Sequence, residues 1–191
     1  MPDKPTILKQ TLLAQTRLFR IESLDLQFSN GARRHYERLV RAEQSGSAVL
    51  VVPLLDEATV LLVREYAAGL ERYELGLPKG RVEPNEPLLS AANREIKEEI
   101  GYGARQLHHL TALSLAPAYS AHTTEIVIAE DLYPEKLPGD EPEDLEVVPW
   151  RLDNLAPLFS GGECTEARSI AALFLTAQYL RQRDYPNRQQ K

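Results

Sequence analysis

Three glutamates, Glu95, Glu98 and Glu99, crowd the short run Arg94-Glu95-Ile96-Lys97-Glu98-Glu99. In a helix, their i, i+3 and i+4 spacing brings all three carboxylates to one side. Each like-charge pair costs an isolated helix roughly 0.2–0.5 kcal/mol. Anions near a helix C-terminus also oppose the helix dipole. A glutamate-rich run alone is commonly a solvated helix face, but a clustered one calls for a compensating charge. Oxygen donors with no histidine or cysteine set beside them suit a hard divalent cation, Mg²⁺ or Mn²⁺.

The elements that must position these carboxylates are legible from periodicity. From Pro87 to Ile100, Leu89, Ala92, Ile96 and Ile100 recur at spacings of three and four, which predicts a helix with the apolar stripe opposite the glutamates. Pro87 suits its first helical position and Gly101 its exit. Upstream, Arg17–Arg41 alternates apolar and polar residues around Asn30-Gly31, a hairpin signal. Ala48–Leu55, Thr59–Tyr66 and Tyr73–Leu77 read as strands, the last broken by Pro78-Lys79-Gly80. Further strands are expected at Leu107–Leu115 and Thr124–Leu132, followed by an acidic loop from Pro134 to Asp144. Val147–Trp150 leads into a short helix, and a final helix runs from about Thr165 to Leu180. The class is α+β, divided into an N-terminal antiparallel module (1–44), a catalytic domain (45–183) and a polar tail (184–191).

Composition narrows the partners. The chain has 191 residues, 43% of them hydrophobic, enough for one substantial core. Its net charge of −6 repels polyanions, so a nucleic-acid partner is not expected. No apolar run reaches membrane-spanning or signal-peptide length, so a cytoplasmic protein without a membrane partner is expected. The single cysteine, Cys164, forms no disulfide within one chain, and no activating base stands beside it in sequence.

Gly80, five residues, Glu86, seven residues, then Arg94-Glu95-Ile96-Lys97-Glu98-Glu99-Ile100-Gly101-Tyr102 resembles the Nudix box. The box covers 23 residues, and all seven fixed positions match: Gly80, Glu86, Arg94, Glu95, Glu98, Glu99 and Gly101. Tyr102 departs from the pattern, standing where the family has a bulky aliphatic residue. The resemblance implies the Nudix fold, a mixed sheet between helices, and hydrolysis of a diphosphate linkage in a small nucleotide. Glu95, Glu98, Glu99 and the Lys79 main-chain carbonyl are then the metal ligands. Arg94 orients the glutamates, and Glu86 braces the loop or reaches the metal through water. Glu98, or a carboxylate outside the box, takes the proton of the attacking water.

A wider likeness, from about Leu18 to Leu180, is to the ADP-ribose pyrophosphatase branch, which includes hydrolases of ADP-ribose, diadenosine polyphosphates and NADH. Pro117 sits 16 residues after the last box glycine, as in that branch. Tyr119 and Leu77-Pro78-Lys79-Gly80 are similar to dinucleoside polyphosphate hydrolases. The motif of NADH-specific relatives is absent. In this branch a loop glutamate is the base, which points to Glu141 first and Glu143 second. Arg64, Arg38, Arg41, Glu74 and Glu125 are candidate substrate, water or metal contacts by the same likeness. Ala67 stands where the branch has a second arginine, so that substrate clamp does not carry over. The N-terminal module is similar to one that relatives exchange to form homodimers. Nucleotide sugars or nucleoside triphosphates as substrates, and a non-catalytic ADP-ribose sensor, are the alternatives that the sequence leaves open.

Overall fold

A computed structural model describes residues 3–41 and 47–188. The described chain divides into two compact units. The first comprises the residues up to Arg41 together with Ser114–Thr123. Strands β1 (Thr6–Gln15), β2 (Phe19–Gln27) and β3 (Arg33–Arg41) form one antiparallel sheet in that order. The β2–β3 turn is closed by the Phe28 amide on the Ala32 carbonyl (2.9 Å), with Gly31 at φ 79°. That is the expected hairpin. β1 lies upstream of the stretch that the sequence marks as sheet. Two register shifts, between Ile7 and Lys9 and between Leu12 and Ala14, interrupt its two-residue period, so alternation does not reveal it.

Ser114–Thr123 joins this unit through its backbone. Leu39 N–H donates to the Tyr119 carbonyl (2.7 Å), and Ala121 N–H to the Leu39 carbonyl (3.0 Å). The sequence division gives this segment to the catalytic domain, because pairing over eighty residues leaves no local mark. The 44/45 boundary lies outside the described residues.

The second unit holds β4 (Ala48–Pro53), β5 (Thr59–Ala67), β6 (Arg72–Gly76), β7 (Lys79–Arg81), α1 (Leu88–Glu99) and β8 (Tyr102–Ser114). β9 (Thr123–Pro134), β10 (Glu146–Arg151), α2 (Ala156–Ser160) and α3 (Ala167–Arg188) complete it. One sheet has the order β10-β5-β6; the other, β7-β4-β9-β8, is mixed, with β4 parallel to β9 and antiparallel to β7. Alternate residues of β4 feed two cores. Leu50 and Val52 pack with Leu158, Ala172 and Leu173 on the α2/α3 side. Val49 and Val51 pack with Ala91, Ala92 and Ile96 of α1. Burial on both faces explains the unbroken apolar run of β4. Each such buried aliphatic side chain contributes roughly 1.5–3 kcal/mol. The expected mixed sheet between helices is the observed architecture.

Several local expectations shift. Pro87 is the extended N-cap residue (φ −62°, ψ 139°), not the first helical one. Its carbonyl accepts the Ser90 and Ala91 amides, both at 3.0 Å. Val147–Trp150 is itself part of strand β10, paired residue for residue with β5, and it leads into the expected short helix, α2. The expected break after β6 is present, but Lys79 and Gly80 are not only a breaker: Lys79–Arg81 forms a separate strand, β7, in the other sheet, paired with β4. α3 extends to Arg188, so the expected tail from residue 184 is helical over its described part. No helix among the described residues is long and apolar enough to cross a membrane.

Within the first unit, Glu22 is almost fully buried. Its in-register cross-strand neighbour, Arg38, donates Nε to Oε2 at 2.9 Å, and Arg20, on the same face, donates to Oε1. The Arg20 hydrogen bond, joined by that of Arg38, outweighs burial and holds the carboxyl below its ordinary value. A group depressed in the folded state stabilises above its unfolded value and loses that contribution as pH falls through its folded value. Glu22→Gln is therefore expected to cost about 1–3 kcal/mol at pH 7. The gap to wild type should close as pH drops below the ordinary 4.5. Denaturant titrations of both proteins between pH 7 and 3 check this; a pH-independent gap would contradict it.

Candidate active site

Helix α1 does not carry its carboxylates on a solvated face. Glu95 and Glu99 are only 7% and 5% exposed, on the same side as Ala91, Ala92 and Ile96, whereas Leu89 is exposed. The expected separation of apolar and acidic faces is thus corrected: two of the three glutamates enter the packed side. Burying ionised carboxylates is costly unless they are paired.

Arg94 supplies most of that pairing. Its Nη1 donates to Glu95 Oε1 (2.7 Å) and Glu98 Oε2 (2.9 Å). Nε and Nη2 grip the two oxygens of Glu86, each at 3.0 Å, and Nη2 also donates to the Arg81 carbonyl (2.8 Å). The Glu86 hydrogen bonds, then the neighbouring charges of Glu95 and Glu86, push the guanidinium pKa up despite burial. Glu86 is held below its ordinary value chiefly by the Arg94 hydrogen bonds. Glu86 also accepts the Glu83 amide at 3.0 Å, which braces the loop before the helix.

The two buried carboxylates remain short of positive charge. Burial pushes Glu99 up to about 8, even though the Lys79 charge and amide pull the other way. Glu99 Oε1 accepts the Lys79 N–H at 3.1 Å; Oε2 is buried with no partner. Glu95 is raised by burial, with the charges of Glu98 and Glu141 adding to it against Arg94. Gly80 of β7 lies directly beneath the Glu95 carboxylate: a Cβ there would fall 2.0 Å from Glu95 Cδ. Among the described residues no three acidic, histidine or cysteine side chains converge as a ready-made metal cage. Arg94 bridges two of the carboxylates instead. An orphaned buried oxygen, a carboxylate seated over a glycine and an all-oxygen donor set fit a hard divalent cation.

Glu141 and Glu143 separate in the structure. The segment after β9 lines a cavity of about 650 Å³ with Glu98, Lys136, Glu141 and Glu143. Glu141 is half-buried there, and Gly139 makes room for it, since a Cβ at Gly139 would fall 2.1 Å from Glu141 Oε2. Glu143 is exposed and accepts the Tyr73 hydroxyl at 2.7 Å.

The other candidates have internal partners. Arg64 donates to Glu146 (2.8 Å) and Glu163 (3.0 Å), tying β5 to β10 and to the approach to α3. Glu74 is buried on β6 and accepts the Thr165 amide at 2.9 Å as well as Arg72. Burial alone would raise Glu74; the Thr165 and Arg72 bonds reverse the shift. Glu125 accepts or shares a proton with His109 Nε2 at 2.7 Å. Arg38, Arg41, Pro117 and Tyr119 belong to the first unit. There Arg38 binds Glu22, Arg41 Nε donates to His122 (3.2 Å), and Tyr119 exposes its ring. Cys164 is buried, and burial lifts its thiol to about 11, which removes it as a nucleophile. Sequence reasoning misses Lys136, Gly139 and the Lys79–Glu65 ion pair. A lone lysine or glycine in a loop carries no spacing signal.

The chain is similar to known proteins along most of its length. Residues 44–163 match the NUDIX domain, and residues 5–38 match the NudE-type Nudix hydrolase N-terminal domain. The ADP compounds hydrolase NudE of Escherichia coli (strain K12) is 49% identical over 178 residues, covering 93% of this chain and 94% of that protein. The ADP-ribose pyrophosphatase of Bacillus subtilis (strain 168) is 28% identical, covering 91% and 93%. The crystal structure of an ADP compounds hydrolase superposes with a TM-score of 0.87 at 48% identity, covering 96% of this chain and 97% of that one.

Because the glycine under Glu95 is a steric requirement, Gly80→Ala is expected to displace that carboxylate. Affinity for Mn²⁺ should fall by about tenfold or more, the range for disturbing a ligand's support. Calorimetric titration checks it, with circular dichroism to verify the fold; unchanged affinity would mean that Glu95 is no ligand.

Proposed function

Given that this chain belongs to the Nudix hydrolases, we propose that it hydrolyses the diphosphate linkage of ADP-containing compounds (ADP-ribose, diadenosine polyphosphates and NADH) and releases AMP. The observation that carries the reading is the half-buried Glu141, which lines one cavity with Glu98 of the carboxylate helix. Kinship with hydrolases named for ADP compounds and ADP-ribose supports the substrate class.

Glu95, Glu98 and Glu99, with the Lys79 main-chain carbonyl, would hold Mg²⁺ or Mn²⁺. Such an ion neutralises phosphate oxygens and acidifies water. Arg94 and Glu86 keep the three glutamates oriented. Glu141 takes the proton of the attacking water as general base. Glu143 ranks behind it because its carboxylate is committed to Tyr73, and Glu98 because it is bound by Arg94.

The enzyme acts as a cytoplasmic homodimer in this reading. Every residue of β1 is exposed, and Ile7, Leu8, Leu12 and Leu13, at 46–51%, put apolar side chains on an edge strand. An exposed apolar edge favours a partner, and a second copy of the module is the one that the family analogy supports.

Three outcomes are expected. In a panel of ADP-ribose, a diadenosine polyphosphate, NADH and dATP in ¹⁸O-water, AMP appears first from the ADP conjugates. Pyrophosphate released preferentially from dATP would instead favour the nucleoside triphosphate reading. Glu98→Gln and Glu99→Gln each lower kcat by orders of magnitude with the fold retained, and Glu141→Gln slows turnover by roughly 10²–10⁴. Binding of ADP-ribose without turnover by the wild-type enzyme would mark a sensor. Leu8→Glu with Leu12→Glu shifts the molar mass in light scattering from dimer to monomer; an unchanged mass would remove β1 from the interface.

A further inference from the structure

The strap after β9 is fastened to the C-terminal end of α1. Glu135 N–H donates to the Gly101 carbonyl (3.0 Å), and Leu137 N–H to the Lys97 carbonyl (3.1 Å). Between these two bonds, Lys136 places its ammonium on the Glu98 main-chain carbonyl. Its aliphatic stem passes Gly101, where a Cβ would meet Lys136 Cδ at 3.5 Å. Lys97 closes the clasp from the helix side through a 2.8 Å ion pair with Glu135. The last carbonyls of a helix lack intrahelical donors and form the negative end of its dipole. A lysine there is therefore favoured both as a donor and as a charge.

The same strap carries Glu141, and Glu98, Lys136 and Glu141 line one cavity. We propose that Lys136 is a positioning residue for the hydrolysis. By binding the Glu98 carbonyl, it seats loop 134–145 on the carboxylate helix and sets the gap between Glu98 and Glu141. The inference rests on Glu141 acting as the base. A base displaced by a fraction of an ångström to one ångström loses rate rather than substrate affinity.

The test is a double-mutant cycle on ADP-ribose hydrolysis, using Lys136→Met, Lys136→Arg, Glu141→Gln and Lys136→Met/Glu141→Gln, with Mn²⁺ affinity measured in parallel. Lys136→Met is expected to lower kcat about tenfold with KM and Mn²⁺ affinity within about twofold. Lys136→Arg, which keeps a donor and a charge, should recover most of that loss. In the Glu141→Gln background, Lys136→Met should cost nothing further. Wild-type kcat in Lys136→Met overturns the proposal. So does an equal tenfold loss in both backgrounds, or a loss explained by weaker Mn²⁺ binding. If Glu141→Gln alone turns over like wild type, the base assignment fails. If Glu141→Gln is slow while Lys136→Met is not, the assignment stands and the positioning role of Lys136 falls.

Discussion

One guanidinium holds together a set of charges that would otherwise repel one another. Arg94 contacts Glu86, Glu95 and Glu98 and the Arg81 carbonyl at distances of 2.7–3.0 Å. A planar, permanently charged fork can satisfy several carboxylates at once, which a lysine cannot do. Glu99 lies outside its reach and keeps a buried oxygen without a partner. The proposed cation would relieve this residual shortage of positive charge, and the same shortage is expected to make the folded protein sensitive to loss of Arg94.

The rest of the second unit serves that cluster with rigid elements and one strap. β7 has only three residues, yet its pairing with β4 sets Gly80 against Val49 and brings the glycine under Glu95. The core between α1 and β4, β5 and β9 fixes the helix from below. The acidic segment after β9 has no regular structure of its own over residues 135–145 and takes its position from the end of α1. Groups that must be placed within about 0.5 Å sit best on helices and strands. A base carried on a loop, as proposed for Glu141, would need fasteners, and the Glu135, Lys136 and Leu137 contacts to the end of α1 are placed to supply them. The first unit solves a different problem. Its central strand buries a carboxylate between two arginines, while its edge strand leaves leucines in water.

The Nudix box, the metal-type carboxylates and the strands β4 and β5 are written locally in the chain. Their evidence is spacing within one element, and helix and strand geometry fix those distances without help from the rest of the molecule. The hairpin around Asn30-Gly31 is legible for the same reason. Tertiary structure alone decides that Glu95 and Glu99 are buried, that Glu141 rather than Glu143 turns inward, and that Arg64 and Glu74 are spent on internal partners. It also decides that β1 is a strand and that Lys136 reaches Glu98. Each of these depends on partners far apart in the chain or on bulges that break periodicity, and no local pattern encodes a contact whose other half is brought in by packing.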